Sequence, residues 1–349
     1  MTFTLYVDGR RWRAHTDQVL AGTPGLVPVI KGNGYGYGAD LLAAEASRLG
    51  VQTVAVGEPH EVAAVRAAFA GDIAVLRAHL PGVDGVPEPD DRVIRTAATL
   101  DGLRALAGHR VVVELLTSMQ RFGLEEPELA QVGGLLADAR LEGFALHLPM
   151  VGSGRPAEVE AALNLLERRG LTRVAAAGPS PATIWVSHLT EAELAALTAR
   201  HPDVSLRARV GTRLWLGDRA AAQAKGTVLA VHRLARGQRY GYRQHKAPRA
   251  GHLIVVGGGT AHGVALSAPS PAGSIGQRAK IVATGGLEAL GRSLSPFHVQ
   301  GAQRWFAEPP HMQVSMIWLP DGVAVPAVGA ELDTDVRMTT ASFDRVVLD

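Results

Sequence analysis

The chain has 349 residues, 47% of them hydrophobic and 19% charged, with a formal net charge of +2. That length suits two domains, or a barrel with an appendage, and provides apolar material for a large core. Dispersed basic residues argue against a nucleic-acid groove, and the absence of cysteine excludes disulfides, thiolate metal sites and cysteine nucleophiles.

The first residues contain no uninterrupted apolar h-region. No apolar run approaches the roughly 20 residues that span a bilayer, so the expectation is a soluble, cytoplasmic protein without membrane partners. Strand-like runs then fall at 27–30, 53–56, 73–76, 92–95, 111–116, 144–147, 174–177 and 206–210. Alanine- and leucine-rich helical patterns intervene at 39–49, 58–69, 101–107, 126–138, 155–169 and 190–199. Strands alternating with helices, without a return strand, predict an α/β fold of the (β/α)8 TIM-barrel type. Pro81, Pro87 and Pro89 interrupt the pattern between 77 and 100. After about residue 222 the texture changes to glycine- and valine-rich runs, at 226–233, 252–256, 312–319 and 345–348. The expected organisation is a barrel over 1–222, its first few residues pairing with the β-domain, and a C-terminal mainly β-domain over 223–349.

Barrel enzymes gather their active sites at the C-terminal ends of the strands. Lys31 ends the first run, Arg121 follows the fifth and His147 ends the sixth. Ser187 falls in the loop after the seventh, while Arg209, Gly211 and Thr212 end the eighth. These residues are expected to share one mouth, with phosphate held after the seventh and eighth strands, where this fold commonly places it. Residues 27–39 read Val-Pro-Val-Ile-Lys-Gly-Asn-Gly-Tyr-Gly-Tyr-Gly-Ala. An amine at the end of a strand, beside backbone free to approach a ligand, suits an imine-forming lysine. A solvated lysine in a strand–loop–helix connection would look the same.

The segment around Lys31 resembles the pyridoxal-phosphate (PLP) lysine motif of the alanine racemase family, whose members combine a (β/α)8 barrel with a C-terminal β-domain. The resemblance implies that Lys31 forms the internal aldimine and serves as a base, and that Tyr35 binds the cofactor phosphate together with Ser187, Gly211 and Thr212. Arg209, in Leu-Arg-Ala-Arg-Val-Gly-Thr, matches the arginine that hydrogen-bonds the pyridine nitrogen, with Val210 where proline is usual. A guanidinium only donates, so it keeps that nitrogen unprotonated and weakens the ring as an electron sink. His147 matches a histidine supporting this arginine. Arg121 matches the arginine that holds the substrate carboxylate, and Glu114 stands where the family has a lysine, often carbamylated, that pairs with it. A carboxylate supplies the same anion directly.

Other positions depart from the family. Its second base is a tyrosine on the partner subunit of a homodimer with shared active sites, and here Val264 stands at that place, in Gly-Thr-Ala-His-Gly-Val-Ala. Valine cannot move a proton. His262, two residues earlier, is the candidate replacement, because imidazole titrates near neutrality; Tyr240 and Tyr242 are further candidates. The substrate-site Met-Asp pair becomes Met312-Gln313. The first reading is therefore an amino-acid racemase with an altered second base or substrate. An alternative is a PLP-binding protein without turnover, although single-barrel PLP-handling proteins lack a β-domain. A remote alternative is a dinucleotide-binding oxidoreductase, from the loose glycine pattern 34–39 with Glu58 after a second strand. The 13 histidines show no metal-binding spacing.

Overall fold

The computed structural model describes residues 1–175, 182–266 and 293–349. The chain forms two compact units, one of Ala14–Gly34 and Ala39–Gly217, the other of Met1–Arg13, Tyr35–Gly38 and Asp218–Asp349. It opens with β1 (Phe3–Val7) and α1 (Gly9–Ala21), after which strands and helices alternate.

The first of these units is the barrel. Its strands are β2 (Leu26–Pro28), β3 (Thr53–Val56), β4 (Asp72–Ala78), β5 (Val93–Ala97), β6 (Arg110–Leu115), β7 (Arg140–Leu146), β8 (Ala182–Ser187) and β9 (Val204–Val210). They form one 8-stranded sheet in the order β2-β9-β8-β7-β6-β5-β4-β3. A parallel bridge from Val29 to Ala55 joins the two end strands and nearly closes the barrel. The intervening helices are α2 (Ala39–Arg48), α3 (Val62–Arg66), α4 (Leu100–Ala105), α5 (Leu129–Leu135), α6 (Arg155–Arg168), α7 (Leu171–Ala175), α8 (Glu191–Arg200) and α9 (Thr212–Leu216). Local chemistry fixes their starts. At α8 the Thr190 hydroxyl accepts from Glu193 N at 3.2 Å, while the Glu193 carboxylate accepts from Thr190 N at 2.7 Å. This reciprocal capping satisfies two otherwise unpaired backbone donors.

Side chains alternate along each strand with the two-residue period of a sheet. Val27, Val29, Ala55, Ala74, Ile94, Val112, Ala145 and Trp185 form the inner cluster. The alternate positions, among them Val113, Phe144, Leu146, Ile184, Val186 and Ala208, pack against the helices through Val159, Leu166, Leu194 and Leu197. Burial of each large aliphatic group here contributes on the order of 1.5–3 kcal/mol.

One expected strand is displaced. The run 174–177 is not the seventh strand: α7 reaches Ala175, residues 176–177 lie outside the described residues, and the seventh strand is Ala182–Ser187. Alanine-rich sequence favours helix, whereas Ala-Thr-Ile-Trp-Val-Ser carries the branched and aromatic residues that favour strand. Ser187 accordingly ends a strand instead of lying in the loop after it.

The other unit is mainly β. It contains β1, β10 (Ala222–Leu234), β11 (Arg239–Tyr240), β12 (His245–Lys246), β13 (Gly251–Gly257), β14 (Leu294–Val299), β15 (Ala302–Trp305), β16 (Val314–Pro320), β17 (Glu331–Thr334) and β18 (Arg345–Leu348). β1 lies antiparallel to β10 and parallel to β18, next to the edge of the longer sheet, which β18 closes. Its Phe3 and Leu5 are fully buried, and Phe3 stacks on Phe343 at 5.2 Å. Among the described residues no helix is long and apolar enough to cross a membrane.

Candidate active site

Continuing the inner register by one step defines the barrel rim. Beyond Val112, Ala145 and Trp185 the next inward positions are Glu114, His147 and Ser187, and Ser187 pairs in register with Arg209. On the first barrel strand, Lys31 occupies the step beyond Val29. The rim thus carries Lys31, Glu114, His147, Ser187 and Arg209, all within one unit.

Lys31 follows a strand anchored on both sides, with Val29 N donating to Val210 O at 2.9 Å and Ile30 N to Ala55 O at 2.7 Å. Its stem passes Gly57, where an added Cβ would lie 3.2 Å from Lys31 Cβ. Glu61 fixes the loop beyond it: its carboxylate accepts from Gly32 N at 2.5 Å, Gly57 N at 2.7 Å and Glu58 N at 2.9 Å. The Lys31 pKa is lowered by desolvation, then by the Arg121 and Arg209 cations, against an opposing pull from Glu61. A lowered pKa raises the neutral, nucleophilic fraction of the amine.

Arg209 is buried, and its Nη2 donates to Leu146 O at 2.8 Å. No hydrogen bond joins it to the His147 ring, so the support expected from that imidazole comes instead from the preceding carbonyl. Arg209 Nε is buried without a hydrogen-bond partner among the described residues. Glu114, 2% exposed, provides the nearby negative charge. Burial raises its pKa, while Arg209 and then Arg121 pull it down. No ion pair within 4.0 Å links Glu114 to Arg121 or to Arg209 among the described residues; at longer range Arg209 acts on the carboxylate more strongly than Arg121 does. His147 is held neutral, its pKa pushed down to about 3 by desolvation and by Arg209, Arg121, His188 and Lys31.

Arg121 lies in the loop after β6, with its guanidinium 5.3 Å from the Phe122 ring centroid. The loop doubles back onto the strand, Leu124 N donating to Glu114 O at 2.9 Å and Leu116 N to Leu124 O at 3.0 Å. Gly123 makes this return possible: its φ is 133°, and a Cβ there would meet the Leu115 carbonyl carbon at 2.3 Å.

Ser187 Oγ accepts from Leu148 N at 3.1 Å, which leaves the hydroxyl proton to donate. Gly211 and Thr212 follow β9, Thr212 opening α9. Tyr35 belongs to the other unit, is 6% exposed and has a left-handed φ of 54°. Its neighbours Gly34, Gly36 and Gly38 have φ of 60°, 88° and 88°, which accounts for the alternating glycines.

In the β unit His262 has both ring nitrogens engaged. Nδ1 accepts from Gly259 N at 3.2 Å and Nε2 lies 3.1 Å from Asp344 Oδ1. It packs edge-on to Phe3 at 5.3 Å. This is a structural pattern, and the acid–base role expected of His262 finds no free nitrogen. Val264 is fully buried, and Met312 is 72% exposed. Among the described residues no cluster could hold a metal ion.

Two residues that bear on the mouth carried no sequence signal. Glu61 reads as an ordinary helical glutamate until the fold brings three amides to it. His188 follows an inward serine and should therefore face outward; its ring instead meets that of His147 at 5.5 Å.

Residues 8–218 match the family of the alanine racemase N-terminal domain. No curated protein sequence matches the chain. Among solved structures, the chain is similar to an alanine racemase from Bartonella henselae with covalently bound pyridoxal phosphate, at 16% identity over 100% of both chains and a TM-score of 0.70. It is also similar to an alanine racemase of Clostridium difficile 630, at 14% identity over 100% of this chain and 96% of that one, with a TM-score of 0.68. The biosynthetic alanine racemase of Pseudomonas aeruginosa shares 18% identity over 97% and 91% of the two chains, with a TM-score of 0.62. At these identities the likeness is one of fold.

Proposed function

This chain belongs to the alanine racemase family, and from that premise we propose that it is a PLP-dependent amino-acid racemase-like enzyme whose barrel mouth holds the cofactor. The observation that carries this reading is Arg209: a guanidinium fixed by the Leu146 carbonyl, with a buried Nε lacking an acceptor. Leaving such a donor unsatisfied costs about 1–3 kcal/mol, and the pyridine nitrogen of PLP is an acceptor of the required kind. Bound there, PLP supplies an aldehyde that captures amines and a conjugated ring that accepts electrons from a substrate Cα bond.

The chain's own residues do the rest. Lys31 forms the covalent link and, as a free amine, takes or returns the Cα proton on one face of the substrate. Arg121 binds the substrate carboxylate, the bidentate task that suits a guanidinium. Ser187, with its proton free to donate, joins Gly211 and Thr212 in holding phosphate. Glu114 balances the Arg209 charge inside the barrel, and His147 stays neutral beside it. The substrate is a small amino acid, and a homodimer of shared sites is part of this reading.

A second reading has its own support. Val264 is fully buried at the family's second-base position and His262 is tied to Asp344, which favours a PLP-binding protein without racemisation. One experiment separates the two. Purified protein reduced with borohydride should carry the cofactor mass on Lys31, and L- and D-amino acids in deuterium oxide should take up deuterium with loss of chirality. Cofactor on Lys31 without exchange favours the non-racemising protein; no cofactor removes both readings.

A further inference from the structure

Two-base inversion of a carbon centre uses a proton-transferring group on each face, and Lys31 is the one proposed above for the first. The rim offers a second group that the sequence register conceals. Val186 faces outward and Ser187 inward, so continued alternation would turn His188 away from the barrel. Instead His188 has a φ of 59°, a left-handed conformation uncommon for a residue other than glycine. Its ring lies edge-on to that of His147, with centroids 5.5 Å apart and planes at 77°. Such backbone strain costs on the order of 1–3 kcal/mol and persists where the surroundings enforce it. Its consequence is an imidazole at the rim, with no hydrogen-bond partner among the described residues.

We propose that His188 is the second proton-transferring residue of the mouth, exchanging the substrate Cα proton on the face that Lys31 does not serve. The inference rests on the racemase reading above. In one direction the Cα–H bond breaks, its proton goes to a ring nitrogen of neutral His188, and the electron pair stays in the substrate's conjugated system. The Lys31 ammonium then gives its proton to the opposite face, forming the new Cα–H bond. The reverse direction uses the same two groups with their protonation exchanged. The charged and titratable groups acting on His188 are Arg209, Lys31, Arg155, Arg121 and His147. Arg155 is itself held by Glu193 at 3.2 Å and Met150 O at 3.0 Å. Desolvation and the surrounding cations lower the His188 pKa, keeping it ready to accept a proton.

The test uses the PLP-loaded full chain and a panel of protein amino acids supplied as L and as D in deuterium oxide. His188→Asn keeps a residue type that tolerates the left-handed backbone but cannot carry the proton. It should keep the lysine-bound cofactor absorbance and the exchange of one enantiomer, while exchange of the other falls on the order of 10²-fold. His188→Gly, free to adopt the same φ, should regain the lost exchange when imidazole is added. A readout independent of turnover is modification of His188 by diethyl pyrocarbonate, which PLP loading should slow. Unchanged exchange, equal loss for both enantiomers, or modification indifferent to PLP would each overturn the proposal while leaving the parent reading in place. Wild-type protein that binds no PLP removes both.

Discussion

At the scale of single residues, the barrel mouth is a problem in charge. Lys31, Arg121 and Arg209 act on one another with Glu114 as the buried counter-charge. Removing one of two buried opposite charges leaves the other uncompensated. Arg209→Met and Glu114→Gln should therefore each destabilise the protein, and the double variant should lose less than the sum, with a coupling of about 0.5–3 kcal/mol by urea unfolding. A coupling near zero would separate the two charges. His147 makes a pH prediction. Its folded pKa is pushed down to about 3, whereas an unfolded histidine titrates near ~6.5. Between those values the unfolded chain binds a proton that the folded chain refuses, so stability falls as pH drops through that window. His147→Gln should flatten the dependence of urea midpoint on pH there, and an unaltered slope would count against the burial argument.

At the scale of elements, the loop after β6 tests how backbone geometry delivers chemistry. Gly123→Ala puts a Cβ 2.3 Å from the Leu115 carbonyl carbon, so the loop must lift from the strand. The expected cost is about 1–3 kcal/mol, together with weakened substrate binding through Arg121 and little change in PLP retention. Full retention of both stability and substrate affinity would show that the loop is not what places Arg121. At α8, Thr190→Ala removes one side of the reciprocal cap and should cost about 1 kcal/mol in thermal or urea unfolding. The elements also show what was legible in advance. Strand 53–56 coincides with β3 because Thr-Val-Ala-Val is rich in the β-branched residues that favour strand. The shared rim of Lys31, Glu114, His147 and Arg209 was legible because the two-residue period is itself sequence information. Run 174–177 misled, since an apolar stretch of that length reads as strand or helix equally well. Glu61 and His188 depend on where the fold brings distant amides and on one backbone dihedral, neither of which is written in local pattern.

At the scale of the whole molecule, the proposed shared-site homodimer predicts a mass twice 36.7 kDa by light scattering at micromolar concentration. A monomer under those conditions would leave each site to its own chain, and the second proton-transferring group would have to be local. The β unit adds a constraint of its own. The Asp344 carboxylate accepts from Thr2 N at 2.7 Å and Phe3 N at 3.0 Å, 342 and 341 positions away in the chain. Between these points lies the whole sequence of the barrel.

That insertion has a consequence for the order of assembly. β1 leaves the ribosome early, yet its partners β10 and β18 are made only after every barrel strand. Contacts of such separation close slowly, and until they close β1 is an unpaired strand with Phe3 and Leu5 uncovered. The nascent chain thus carries an adhesive edge for most of its synthesis, and a fragment ending after β9 would carry it permanently. Such a fragment should aggregate unless β1 is removed with the domain it serves.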